Sequence, residues 1–404
     1  MLKNIDFITA RNLLINAVQQ ISTEKIHLEN CIGRVLAEDI VAAHNVPPFD
    51  RSPYDGYALR SIDVINASES NPVKLKVIEE VPAGSVPTSI CTKNTAVKIL
   101  TGAPIPMGAD CVIMYEKTKF TDSTVSIFNP IKSGNGIVKI GEDVKRGKLL
   151  VEKGQIIDAG IIGTMASQGI VQPLVYRRPK VGIISTGNEV LEPNENISAG
   201  KIYNSNRYIL SALLNRIGCD VIYLGKAGDN IDDITELIKM GMDSCDAVLS
   251  SGGVSAGDYD LTPDAMEQAG IEILFQGVKI KPGMACSYGI KDGKVYCGLS
   301  GNPVSAMINL ELIGVPALKK MAGYKYNIPE FIDVRLKDDF DKKSPVTRFL
   351  CGKLEFENGN AVIKISKEQG NVVISSAIGC NMLAMIPAGY DCVKSGEVLK
   401  GFLI

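Results

Sequence analysis

The chain has 404 residues, of which 45% are hydrophobic and 22% charged, and a formal net charge of −2. Such a length suggests two to four domains of ordinary globular composition, and so small a charge gives no electrostatic case for nucleic acid or an anionic membrane surface. No apolar run reaches the roughly 20 residues of a spanning helix, and residues 1–10 carry Asp6 without a signal-peptide pattern, so a cytoplasmic protein is expected.

Ten cysteines are scattered without a C-x-x-C pair, which argues against a zinc site and against a disulfide framework. Only His27 and His44 are present, so histidine acid–base chemistry is not expected. In chain order, Phe7, Ala10, Leu13, Leu14, Ala17 and Val18 recur at helical spacing behind Asp6 as a candidate N-cap. Residues 29–41 hold a turn and then a short apolar helix or strand. The stretch VPPFDRSPYDGYALR, 46–60, is dense in proline, glycine and charge, including Asp50, Arg51 and Asp55. It reads either as a rigid crossing between domains or as a binding loop.

Residues 73–128 are β-rich, with strands expected at 73–78, 96–100, 111–115 and 124–128. Between the second and third lies TGAPIPMGAD, 101–110, where Thr101 is the side chain that could touch a ligand. Ser133-Gly134-Asn135-Gly136 marks a boundary. Short strands follow over 137–157, then a helix over 159–169 closed by Gly169, and Arg177-Arg178-Pro179 leads onward.

From 180 to 316 one device occurs three times: an apolar run, a Gly-rich turn and a helical pattern. The turns are Thr186-Gly187-Asn188-Glu189, Ser251-Gly252-Gly253-Val254-Ser255-Ala256-Gly257-Asp258-Tyr259-Asp260 and Ser300-Gly301-Asn302-Pro303. Runs without alternation predict strands buried on both faces of a parallel sheet, whose right-handed crossovers bring the following turns to one edge. Ligands of open α/β sheets bind there. Free backbone N–H groups and helix N-termini suit phosphate, yet Glu189, Asp258 and Asp260 would repel it unless a cation lay between. Mg²⁺ is therefore implied. Further helices are expected over 203–217 and 231–242, with a strand at 221–225 followed by Asp229. Lys281 ahead of Pro282-Gly283 could meet an anion. From about 329 short strands return: 331–336, 348–356, 361–365, 382–386 and 398–404.

The predicted fold class is multidomain α/β plus β. It comprises a central parallel-rich α/β domain (179–328), an inserted β-rich module (47–133), a small mixed N-terminal domain with an elongated linker (1–46 with 134–178) and a C-terminal β-barrel-like domain (329–404).

These motifs together resemble the molybdopterin molybdenumtransferase family, the MoeA-type enzymes, to which the related domain of gephyrin also belongs. The resemblance spans essentially the whole chain and rests on PFDRSPYDGYA (48–58), TGAPIPMGAD (101–110), SGGVSAGDYD (251–260), KPG (281–283) and GNPVS (301–305). It implies that the central domain is molybdopterin-binding. It also implies Mg²⁺-dependent insertion of molybdate into adenylylated molybdopterin, with release of AMP. A homodimer is implied too, whose site lies between the central domain of one subunit and the β module of the other, as is a transfer partner in cofactor biosynthesis. By matching position the resemblance carries function to Asp55, Thr101, Glu189, Asp229, Asp260 and Lys281, with Glu189, Asp229 and Asp260 around the metal. Ser251, Gly252, Gly253, Ser255, Gly301, Asn302 and Pro303 would line the cofactor. Departures stand at Pro53-Tyr54, Asn188, Asp258, Gly277, Met284 and Ser300. Those at 277 and 284 remove basic residues the family often has and leave molybdate or tungstate open as the oxyanion. The smaller adenylyltransferase that prepares the substrate has a similar central domain without the flanking modules. A non-catalytic cofactor-binding scaffold is the alternative from another class; the carboxylates at 189, 229 and 260 favour an enzyme.

Overall fold

Seven strands make the central sheet: β1 (Leu2–Ile5), β2 (Lys180–Thr186), β3 (Asp220–Ala227), β4 (Ala247–Ser251), β5 (Glu272–Val278), β6 (Cys286–Lys291) and β7 (Lys294–Leu299). Their order is β1-β5-β6-β7-β4-β2-β3, and only β6 runs against its neighbours. The structure, a computed structural model, describes residues 1–254, 261–366 and 368–404.

The apolar runs are buried on both faces because successive side chains enter two different cores. Val181, Ile183, Ala247, Leu249, Val295, Cys297 and Leu299 pack with one set of helices: α1 (Phe7–Ala17), α2 (Ser205–Arg216), α5 (Pro303–Asn309) and α6 (Val315–Met321). Ile184, Val248 and Tyr296 pack on the other side with α3 (Ile231–Ser244) and α4 (Thr262–Gln268). Asp6 caps α1 as expected, accepting from Thr9 N at 2.9 Å. The helix predicted from Val304 onward passes through a π-turn, Leu310–Gly314, where Val315 N reaches back to Leu310 O. Pro316 has no N–H to continue the ordinary ladder, which accounts for the irregularity.

Strand–helix alternation does not run throughout the central domain. The β6–β7 hairpin interrupts it, and β1 joins the sheet beside β5, so the first residues are built into the α/β layers.

The described chain falls into two units. The first comprises Met1–Glu38, Lys153–Ala159 and Gln172–Ile404; the second comprises Asp39–Glu152 and Gly160–Val171. In the first, Ile332–Leu336, Thr347–Glu357, Asn360–Ile365, Met382–Ile386 and Val398–Leu403 close a five-stranded barrel, in the expected places. Asn358 and Gly359 both have positive φ (49° and 79°), the geometry of a tight hairpin turn. Ile280–Lys281 adds to the barrel strand Thr347–Glu357 with Lys281 paired to Arg348.

In the second unit the six-stranded sheet runs Cys111–Met114, Gly56–Leu59, Thr95–Ile99, Val73–Val81, Thr124–Ile127, Thr118–Phe120. Gly56–Leu59 corrects the reading of 46–60 as loop throughout, because its second half is a wholly buried interior strand. Gly56 is needed there, since a Cβ would strike Ile113 O of the adjacent strand. No helix of the described residues is long and apolar enough to cross a membrane.

Candidate functional site

Strands β7, β4, β2 and β3 lie side by side and parallel, so their carboxyl ends bring the three Gly turns and the Asp229 turn to one edge, as expected. Buried polar groups lace these turns. Gly187 N donates to Ala227 O (3.2 Å), Thr186 Oγ1 to Ser251 O (3.1 Å) and Gly252 N to Leu299 O (2.9 Å). Thr262, fully buried at the start of α4, donates from its hydroxyl to Gly252 O (3.2 Å) and from its amide to Gly253 O (3.1 Å). Gly252 has φ +104°, and a Cβ there would come within 2.5 Å of Thr186 Oγ1, so the close approach of the turns requires glycine.

Several of the amides in these turns are already engaged within the protein. The Gly252 amide is engaged with Leu299, and Asn302 N is held by Ser300 Oγ at 3.2 Å. The amides of Gly253 and Gly301 have no acceptor among the described residues. Ser300 thus closes the third turn through its hydroxyl. Ser251 ends β4, and Pro303 opens α5 as its first residue, where the lack of an N–H costs nothing.

Glu189 and Asp229 are exposed and flank one residue, Asn188. Asp229 Oδ2 accepts from Asn188 Nδ2 (2.8 Å) and Asn188 N (3.4 Å), and the Glu189 carboxylate folds over Gly187. Neither carboxylate has an ion pair among the described residues. The nearby ammonium groups are spent on backbone instead: Lys201 Nζ on Asn188 O (2.8 Å) and Lys226 Nζ on Val190 O (2.9 Å). Among the described residues no group of three His, Cys, Asp or Glu side chains forms a closed metal site. Two carboxylates without an ion pair at the edge that carries these amides are the kind of donors Mg²⁺ takes, since that ion keeps several waters and binds one or two carboxylates plus substrate phosphates. Ser255, Asp258 and Asp260 lie outside the described residues.

Lys281 is exposed and free of ion pairs among the described residues. The turn behind it is anchored by Asn309 Nδ2 donating to Gly283 O (2.7 Å), which ties it to α5, the helix of the third Gly turn. Gly277 has φ +71°, and a Cβ there would strike the Asn4 side chain, so β1 occupies the space a basic residue would need.

Asp55 and Thr101 belong to the second unit and meet directly. Asp55 Oδ1 accepts from Thr101 N (2.7 Å) and Thr101 Oγ1 (2.8 Å). The amide first, then the hydroxyl, hold this carboxyl below its usual range. The motifs around them are laced together: Gly102 N to Ser52 O (2.8 Å), Ser52 N to Ala103 O (3.0 Å) and Ile105 N to Asp50 O (2.9 Å).

Residues 5–169 match the model described as MoeA N-terminal region (domain I and II), and residues 182–320 that of a probable molybdopterin binding domain. A molybdopterin molybdenumtransferase of Staphylococcus aureus is 36% identical over 386 residues, 96% of this chain and 92% of that protein. The chain belongs to the molybdopterin molybdenumtransferase (MoeA) family. A Staphylococcus epidermidis member is likewise 36% identical over 385 residues, 95% of this chain and 92% of that protein. A crystal structure of a molybdopterin biosynthesis MoeA protein from Pyrococcus horikoshii superposes with TM-score 0.84 at 34% identity, covering 99% of this chain and all of the other. That superposition takes in the C-terminal barrel, which lies outside both matched regions.

Sequence reasoning missed three buried polar residues that shape the edge: Asn204, Asn206 and Thr262. Asn204 caps α2, accepting from Arg207 N (3.2 Å), and its Nδ2 joins Ser185 Oγ (2.9 Å) to Glu192 Oε1 (2.8 Å). Glu192 is also held by Arg207 Nη1 at 2.6 Å. The signal available was the pair of asparagines opening a helical pattern, a capping signature.

Proposed function

We propose that this chain catalyses insertion of molybdate into adenylylated molybdopterin, with release of AMP, the last group transfer that gives molybdenum cofactor. The observation that carries the reading is the pairing, on one sheet edge, of the unspent Gly253 and Gly301 amides with the unpaired carboxylates of Glu189 and Asp229. Amides bind phosphate oxygens, and the carboxylates, with Asp260 by sequence, hold Mg²⁺. When bound, that ion supplies Lewis-acid polarisation of the P–O bond to be broken. Asn188 orients Asp229 through its amide, and Lys201 and Lys226 fix the backbone on either side of Glu189. Lys281 offsets the charge of the oxyanion or of the phosphate nearest it. Asp55 with Thr101, contributed by the partner subunit of a homodimer, complete the site's wall. The enzyme works in the cytoplasm and receives its substrate from the preceding adenylylating step.

The test is AMP release from adenylylated molybdopterin with Mg²⁺, in the presence and absence of molybdate or tungstate. Release that depends on the oxyanion, and falls about a hundredfold or more in Glu189→Gln and Asp229→Asn, supports the transferase. Tight pterin binding without release under any condition moves the scaffold reading to first place.

A further inference from the structure

Asn206 lies in the first turn of α2, two residues after the cap, and is 8% exposed. Its Nδ2 donates to Gly301 O (3.0 Å) and reaches Ser300 O (3.4 Å), so it clasps the third Gly turn. Two carbonyl oxygens demand an NH₂ group, and the reverse orientation would set oxygen against oxygen. Chemistry therefore fixes which end of the amide faces the turn. The other end, Oδ1, is buried and has no hydrogen-bond partner. Native structures rarely leave such an acceptor unmade, and when they do a ligand or an ordered water fills it.

We propose that Asn206 is a ligand-reading residue whose Oδ1 accepts from an uncharged N–H or O–H group of the molecule bound at this edge. This rests on the functional reading above and adds a polarity to it. The unspent Gly301 amide favours an anionic oxygen, whereas the Asn206 oxygen repels one and calls for a donor. The third turn thus offers two unlike contacts side by side: phosphate on the Gly301 amide, and a donor-bearing ring edge or hydroxyl on Asn206. Both halves of the substrate carry such donors. The pterin has ring N–H and amino groups; the nucleotide has an adenine amino group and ribose hydroxyls. An amide that hydrogen-bonds a donor discriminates strongly against any ligand lacking it, because the buried oxygen is then left unpaired.

The experiment uses the full chain and measures equilibrium binding of molybdopterin and of AMP separately, in wild type and Asn206→Leu. The expected result is a loss of about ten- to a hundredfold for one of the two ligands and little change for the other, and the affected ligand identifies the donor. Equal loss for both means that Asn206 only tethers the Gly301 turn. No loss for either means that water fills the site. Either result overturns the proposal. Wild type that binds neither ligand overturns the functional reading with it, and is told apart by the control alone. Asn206→Asp keeps an oxygen at Oδ1 while losing the tether, so the ratio of the two affinities should stay near that of wild type. A ratio that departs from wild type by tenfold or more in Asn206→Asp would overturn the proposal even if the leucine variant failed to fold.

Discussion

Thr101 holds Asp55 with its amide and its hydroxyl at once, and this sets a titration that can be followed. The folded carboxyl titrates below the ordinary aspartate value of 3.8. The clamp is therefore fully formed above that value and is lost only as pH falls through the lower folded pKa. Carboxyl-carbon NMR of Asp55 should show the depressed midpoint. Thr101→Val removes the hydroxyl and leaves the amide, the larger cause, so the midpoint should rise part of the way and no further. A midpoint unchanged in that variant would show that the hydroxyl bond does not form in solution. At this scale the sequence was a partial guide. It placed Asp55 and Thr101 in Gly/Pro-rich loops, where turn chemistry is local and legible. It could not place Asn204 or Asn206, whose importance comes from carbonyls about a hundred residues away at Ser300 and Gly301 in the case of Asn206.

Strands read well where their pattern is a local consequence of burial. Val181–Ile184 and Val248–Leu249 are apolar in succession because each face of the sheet has its own helical layer. Leu249, fully buried in β4 between β2 and β7, tests that layer. Leu249→Ala should lower unfolding free energy by about 2–5 kcal/mol, read in a denaturant melt, because the two flanking strands cannot collapse into the space. A loss under about 1 kcal/mol would mean that the layer repacks freely. Gly252→Ala should cost less in global stability than in activity, since its damage falls on the contact with Thr186 at the ligand edge. Gly56–Leu59 was hidden for the opposite reason. Its glycine and the turn residues before it look like loop, and only the neighbouring strands Thr95–Ile99 and Cys111–Met114 make it a strand. The direction of β6 was hidden as well, because the Asp292-Gly293 turn gives a hairpin and not the crossover that alternation suggested.

At the level of the whole molecule, the proposed homodimer makes a numerical prediction. If Asp55 of one subunit serves Glu189 of the other, an Asp55→Asn protein and a Glu189→Gln protein are each inactive alone. Mixing them equally and letting subunits exchange gives half heterodimers, each with one intact site. About a quarter of wild-type AMP release should then return, because a twofold interface contributes the same surfaces twice. No recovery after demonstrated exchange would place both residues in the same subunit's site. The closed barrel and the buried central sheet were readable in outline because each is built from segments close in sequence. The arrangement of β1 was not. It pairs with β5 across the stretch from Ile5 to Glu272. That separation has a consequence for biosynthesis. At about 5–20 residues per second, a ribosome takes roughly a quarter of a minute to a minute to make the partner that β1 requires. Until then the earliest strand of this chain has an unoccupied edge, and α1 has no sheet to cover. The nascent chain must carry both, exposed to chaperones, while the second unit is translated in full.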